Sequence, residues 1–110
     1  MTMNAEDTRT AQIKAMEELA DSDSAHYIVA ECQELCIMLL EKNAAYGDSA
    51  LNPLRLFSQA NPTEQIKVRI DDKLSRLMRG HAMSDESLND TIQDLLGYLI
   101  LLRVAMNSER

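Results

Sequence analysis

Acidic side chains recur in this chain at spacings that stack them along a helix. Glu31, Glu34 and Glu41, with Met38 between them, advance by steps of three and four, and Asp90 and Asp94 stand one turn apart. Aspartate is unfavourable inside a helix, so two of them within a leucine-rich segment ask for a reason beyond solubility. Gly97 continues the line of Asp90 and Asp94 and leaves room beside them. Two carboxylate faces around an open space could hold a hard divalent cation, Mg²⁺ or Mn²⁺, through oxygen ligands. A row of opposite sign lies between them in sequence: Arg69, Asp72, Arg76 and Arg79 share one helical line, with Lys73 beside it. Acids that can hold a cation, next to a row of Arg and Lys, suit a polyphosphate whose oxygens are shared between metal and guanidinium groups. On residue types alone, a structural salt-bridge network and a solvated acidic face account for the same pattern.

The elements that must position these residues read as helices. A segment from about Ala5 to Ala20 lacks Gly and Pro but carries only a short apolar stripe, Ile13, Met16 and Leu19, which predicts a peripheral helix. Residues 21–24, Asp-Ser-Asp-Ser, supply capping groups ahead of a second helix from His26 to about Asn43, with Ile28, Cys32, Leu35, Cys36 and Leu39 as its expected buried face. Residues 44–63 contain Gly47, Pro53 and Pro62 and form one long loop, with a short helix expected after Asn52-Pro53; loops of this length are often functional. Asn61-Pro62-Thr63-Glu64 reads as an N-cap, a proline in the first turn and a reciprocal carboxylate, opening a third helix to about Arg79 on a stripe of Ile66, Ile70, Leu74 and Leu77. Gly80 stops it, and Ser84 caps a fourth helix whose seam is Leu88, Ile92, Leu95, Leu99, Leu102 and Met106. No segment sustains strand alternation, so the expected class is all-α, a small helical bundle in a single domain over residues 1–110.

Composition narrows the partners. The chain has 110 residues and a formal net charge of −7, which disfavours a general binder of nucleic acid or anionic membrane. Within that acidic total, residues 42–79 hold seven Lys or Arg against four acids. The longest uncharged runs are eight residues, such as Leu95 to Leu102, whereas a membrane span needs about 20 apolar residues. The acidic N-terminus has no apolar run behind it, so a cytoplasmic location is expected. Cys32 and Cys36 are expected as reduced thiols packed in the core, since His26 and His81 lack the spacing of a zinc site. Beyond Leu95 apolar residues surround the fourth helix almost completely, and the cover expected for them is a second subunit, in a homodimer or homotetramer.

Three strings carry a resemblance. Glu41-Lys-Asn-Ala-Ala-Tyr46-Gly47-Asp48-Ser49, then Arg69-Ile-Asp-Asp72-Lys73-Leu-Ser-Arg76-Leu77, then Asp90-Thr91-Ile-Gln-Asp94-Leu95-Leu-Gly-Tyr98 resemble the nucleotide modification associated domain of type 1, a small family of phages and bacteria. That family is similar to the all-α NTP pyrophosphatases, the MazG-like and dimeric dUTPase-like enzymes. The resemblance runs from about Glu41 to Val104 and implies an oligomeric protein that handles a nucleotide. It implies Lys42, Asn43, Arg69, Lys73 and Arg76 on the nucleotide, Tyr46 against base or ribose, and Mg²⁺ held by Glu31, Glu34, Asp72, Asp90 and Asp94. Under a hydrolytic reading Glu34 and Asp94 are the catalytic carboxylates. The hydrolytic relatives use an E-x-x-E pair and a later E-x-x-D pair; Glu31 and Glu34 match the first, while Asp90 and Asp94 are one residue further apart than the second. Three functions remain open at this point: a pyrophosphohydrolase converting a nucleoside triphosphate to a monophosphate and pyrophosphate, a non-catalytic protein that sequesters a nucleotide, including a signalling nucleotide of antiphage defence, and a purely structural helical adaptor, which exposed polar faces far apart would favour.

Overall fold

A computed structural model describes residues 3–80 and 83–108; His81 lies outside the described residues. Four α-helices form the chain: α1 (Ala5–Leu19), α2 (Asp23–Ala45), α3 (Pro62–Met78) and α4 (Asp85–Ser108). No strand occurs among the described residues, and the class is all-α as the periodicity predicts. None of these helices is long and apolar enough to cross a membrane.

Each helix starts at a side chain chosen for the purpose. The Asn4 side chain accepts from the Asp7 amide at 2.7 Å, Ser22 Oγ from Ala25 at 3.1 Å, Asn61 Oδ1 from Glu64 at 2.8 Å, and Ser84 Oγ from Ser87 at 3.1 Å. These bonds satisfy amides that the first helical turn leaves without a partner. The Glu64 carboxylate does not return to the cap as a capping box would; it meets Lys67 Nζ at 3.1 Å.

The chain divides into two compact units, residues 1–36 and 37–110. In the first, α1 buries no residue, in keeping with its short stripe. The face expected to be buried on α2 is open there: Ile28 is 64% exposed, and both Cys32 and Cys36 are exposed free thiols rather than core groups. The expected burial of Ile28, Cys32 and Cys36 is not found among the described residues: the period marks an apolar face, and that part of it is exposed.

In the second unit α3 and α4 are the principal packed pair. Lys73 of α3 meets Asp94 of α4, and one turn earlier on α3 Arg69 meets Tyr98, one turn later on α4; the helices therefore run antiparallel. Ile66 and Ala105 are the buried apolar residues, at 1% and 3% exposure. The inward face of α4 is Thr91, Asp94, Tyr98, Leu101 and Ala105, a different stripe from the expected seam. Leu88, Ile92, Leu99 and Met106 of that seam remain 41–46% exposed. Small residues decide the rotation: a Cβ on Gly97 would stand 2.9 Å from Leu39 Cδ2, so the end of α2 nests where α4 has no side chain. Leu39 packs against Gly97 on one side, and Gly97 also lines the open cavity described below, so the room expected beside it is present.

Residues 46–61 hold turns and extended chain but no helix, contrary to the expected helix after Asn52-Pro53. Gly47, Asp48 and Arg55 have φ near +60°, and left-handed residues at these places break any continuous right-handed turn.

Candidate functional site

Tyr46 owes its place to how α2 ends. The helix stops at Ala45; Gly47 adopts φ +59°, its amide reaches the Ala44 carbonyl at 3.4 Å, and the Asp48 amide reaches the Asn43 carbonyl at 3.0 Å. This pair of bonds closes a helix C-terminus through a left-handed glycine and leaves Tyr46 as the C-cap. The Tyr-Gly step therefore fixes the point at which the chain leaves α2, with Lys42 one turn before it. Asn52 Nδ2 donates to the Asp48 carboxylate and ties down the following turn.

Facing this corner, α4 supplies Asp94 and α3 supplies Lys73 and Arg69. Lys42 Nζ stands 3.5 Å from Asp94 Oδ1 and Lys73 Nζ stands 3.2 Å from Asp94 Oδ2. One carboxylate therefore bridges two ammonium groups, one from each neighbouring helix. Lys73 and Asp94 are 19% and 32% exposed at the side chain, so their attraction is less screened than that of an open surface pair. The Arg69 guanidinium lies over the Tyr98 ring, 6.0 Å from its centroid, at the limit of a cation–π contact. Among the described residues Arg69 forms no ion pair, so its fork of donors is available to an anion.

These groups surround a cavity of about 360 Å³ within the second unit. Lys42, Asn43, Tyr46, Arg69, Asp94 and Tyr98 are its chemistry-bearing walls, and Leu39 and Leu101 add apolar surface. The volume lies within the range of small-molecule sites, and an apolar lining with few convergent polar groups is their usual make-up. Counting Lys73 on the second oxygen of Asp94, three cations stand against one carboxylate, in a protein whose total charge is negative.

Of the residues singled out by type and spacing, the structure brings Lys42, Asn43, Tyr46, Arg69, Lys73 and Asp94 together. Arg76, Asp72 and Asp90 are exposed and do not line the cavity. Glu31 and Glu34 are exposed residues of the first unit. Among the described residues no group of three His, Cys, Asp or Glu is placed to share a metal ion, and the carboxylate on the cavity wall is already held by two lysines. Among the described residues Asp94 is the one acidic side chain on the cavity wall, and the cations beside it are Lys42, Lys73 and Arg69. Tyr98 is the aromatic wall residue to which the residue pattern assigns no role, as it assigns none to Ser49, Ala50 and Leu101; its position four after Asp94, on the same face of α4, is the signal that marks it.

No known protein family, curated protein or solved structure matches this chain.

Proposed function

We propose that the cavity between the end of α2 and the α3–α4 pair binds a nucleotide, with phosphate oxygens on Lys42, Lys73 and Arg69 and the base or sugar against Tyr46 and Tyr98. The observation that carries this reading is the convergence of Lys42, Arg69 and two tyrosine rings on one small cavity, with Lys73 held against the Asp94 carboxylate of its wall. Phosphate accepts charge-assisted hydrogen bonds from Lys and bidentate ones from Arg, and it competes with Asp94 for the two ammonium groups. A tyrosine offers a flat apolar face to a base at little cost in side-chain entropy. The net function that this geometry supports best is nucleotide binding and sequestration.

Pyrophosphohydrolysis is the second reading, favoured by the placement of Asp94 on the cavity wall with Asp90 one turn earlier on α4. One experiment separates the two. Melting curves of the full chain are recorded with inorganic phosphate, nucleosides and a panel of mono- and triphosphates, with and without Mg²⁺ or Mn²⁺, and the nucleotides are then recovered and identified. Nucleotides should raise the midpoint in proportion to occupancy while phosphate and nucleoside alone do not. Intact ligand after long incubation marks sequestration, and monophosphate plus pyrophosphate marks hydrolysis. If every nucleotide in the panel leaves the midpoint unchanged, the proposal fails.

A further inference from the structure

A second cavity of about 420 Å³ adjoins the first, and the two share Ser49, Ala50 and Arg69 as wall residues. We propose that the site takes a two-headed ligand, two nucleosides joined through phosphate, with one base at Tyr46 and Tyr98, the bridging phosphate at Arg69 and the other base against Phe57. This rests on the reading of the first cavity as a nucleotide site.

The chemistry of the two cavities differs in the way such a ligand requires. The second is walled by Pro53, Leu54, Leu56, Phe57 and Ile66, an apolar surface that suits a planar base better than a further phosphate. Its other cation, Arg55, donates one guanidinium N–H to the Gln59 carbonyl at 2.6 Å, while Arg69 is the cation on the wall that both cavities share. Gln65 Nε2 donates to the Ala60 carbonyl at 2.8 Å and Ser58 Oγ accepts from the Ala60 amide at 3.2 Å, which leaves the Gln65 side-chain oxygen and the Ser58 hydroxyl proton for a base edge.

The loop that forms this wall is held in a shape that solvent alone does not favour. Leu54, Leu56 and Phe57 are 81%, 72% and 101% exposed, three apolar side chains presented to water within four residues. Arg55, between them, sits at φ +60°, a left-handed conformation that a non-glycine residue adopts at a cost. Arg55 and Gln59 cross-link the turn, each donating from its side chain to the other's carbonyl. These bonds brace the backbone on either side of Phe57, whose ring lines the same cavity as Arg69, and a stacked base is the cover the exposed ring lacks.

The test is titration calorimetry on the full chain with mononucleotides and with dinucleoside monophosphates and triphosphates of matching base, adenine, guanine and uracil in turn. At least one two-headed ligand should bind tenfold or more tightly than its mononucleotide half. Phe57→Ala should remove that margin, about tenfold, and leave mononucleotide affinity and the melting midpoint unaltered, because the ring makes no buried contact in the free protein. Tyr46→Leu should weaken both ligand classes. If mononucleotides bind and no two-headed ligand binds more tightly, this inference is overturned while the nucleotide site stands. If Phe57→Ala lowers the mass in solution and not the affinity, the loop tip is a contact between copies and the inference is again overturned. If neither class binds, the nucleotide site itself is lost.

Discussion

Arg69 concentrates the argument at the scale of single residues, since it reaches the ring of Tyr98, faces both cavities and makes no ion pair among the described residues. Hydrogen bonds to a charged partner contribute about 1.5–3 kcal/mol, so Arg69→Ala should lower nucleotide affinity roughly 10- to 100-fold in calorimetry. Lys67→Ala, on the same helix but paired with Glu64 on the surface, is the matched control and should leave affinity unchanged. Gly97 poses a packing question. A single added methyl would set a gain in helix propensity of about 1 kcal/mol against displacement of Leu39, whereas a branched side chain has no room. Gly97→Val should therefore destabilise the chain by about 1–3 kcal/mol, read as a lower denaturant midpoint at unchanged slope.

Among the elements, α3 lines the proposed site with one face and packs with the other. Arg69 and Lys73 face the site while Ile66 is sealed against the rest of the second unit. Its start depends on Asn61, whose side chain takes the Glu64 amide, with Pro62 already holding the backbone angle of the first turn. Asn61→Ala should cost about 1 kcal/mol of stability. The cap lies two turns from Arg69, so nucleotide affinity measured well below the melting midpoint should not move. A large loss of affinity at unchanged stability would instead place Asn61 in the binding site.

For the molecule as a whole, the exposed side of α4 sets the expected state in solution. Leu88, Ile92, Leu96, Leu99, Ile100, Val104 and Met106 are each 40–47% exposed, a continuous apolar strip along the helix. A second copy of the chain presents the same strip, and two-fold pairing of like surfaces is the commonest way to cover one. Light scattering at micromolar concentration should return a multiple of 12.4 kDa, and Leu99→Glu should reduce it to the single-chain mass. A single-chain mass for the unaltered protein would refute this expectation.

What the sequence by itself determined was local. Helix starts at Asn61 and Ser84 and the all-α class follow from caps and apolar periods that act within a few residues, while α2 runs to Ala45, two residues past the expected Asn43. The cationic row on α3 and the nearby Tyr46 were legible for the same reason. The rotation of α4 was not, because apolar residues surround it beyond Leu95 and no period can then choose a face. Tertiary packing chose, through small residues at Gly97 and Ala105 that admit close neighbours. That choice turned Asp94 and Tyr98 inward, joined one carboxylate to Lys42 and Lys73, and left Asp90 at the surface; Asp72 and Arg76 lie on the exposed side of α3. Spacing along one helix says which side chains share a line; only the packing of a second helix says which line meets a partner.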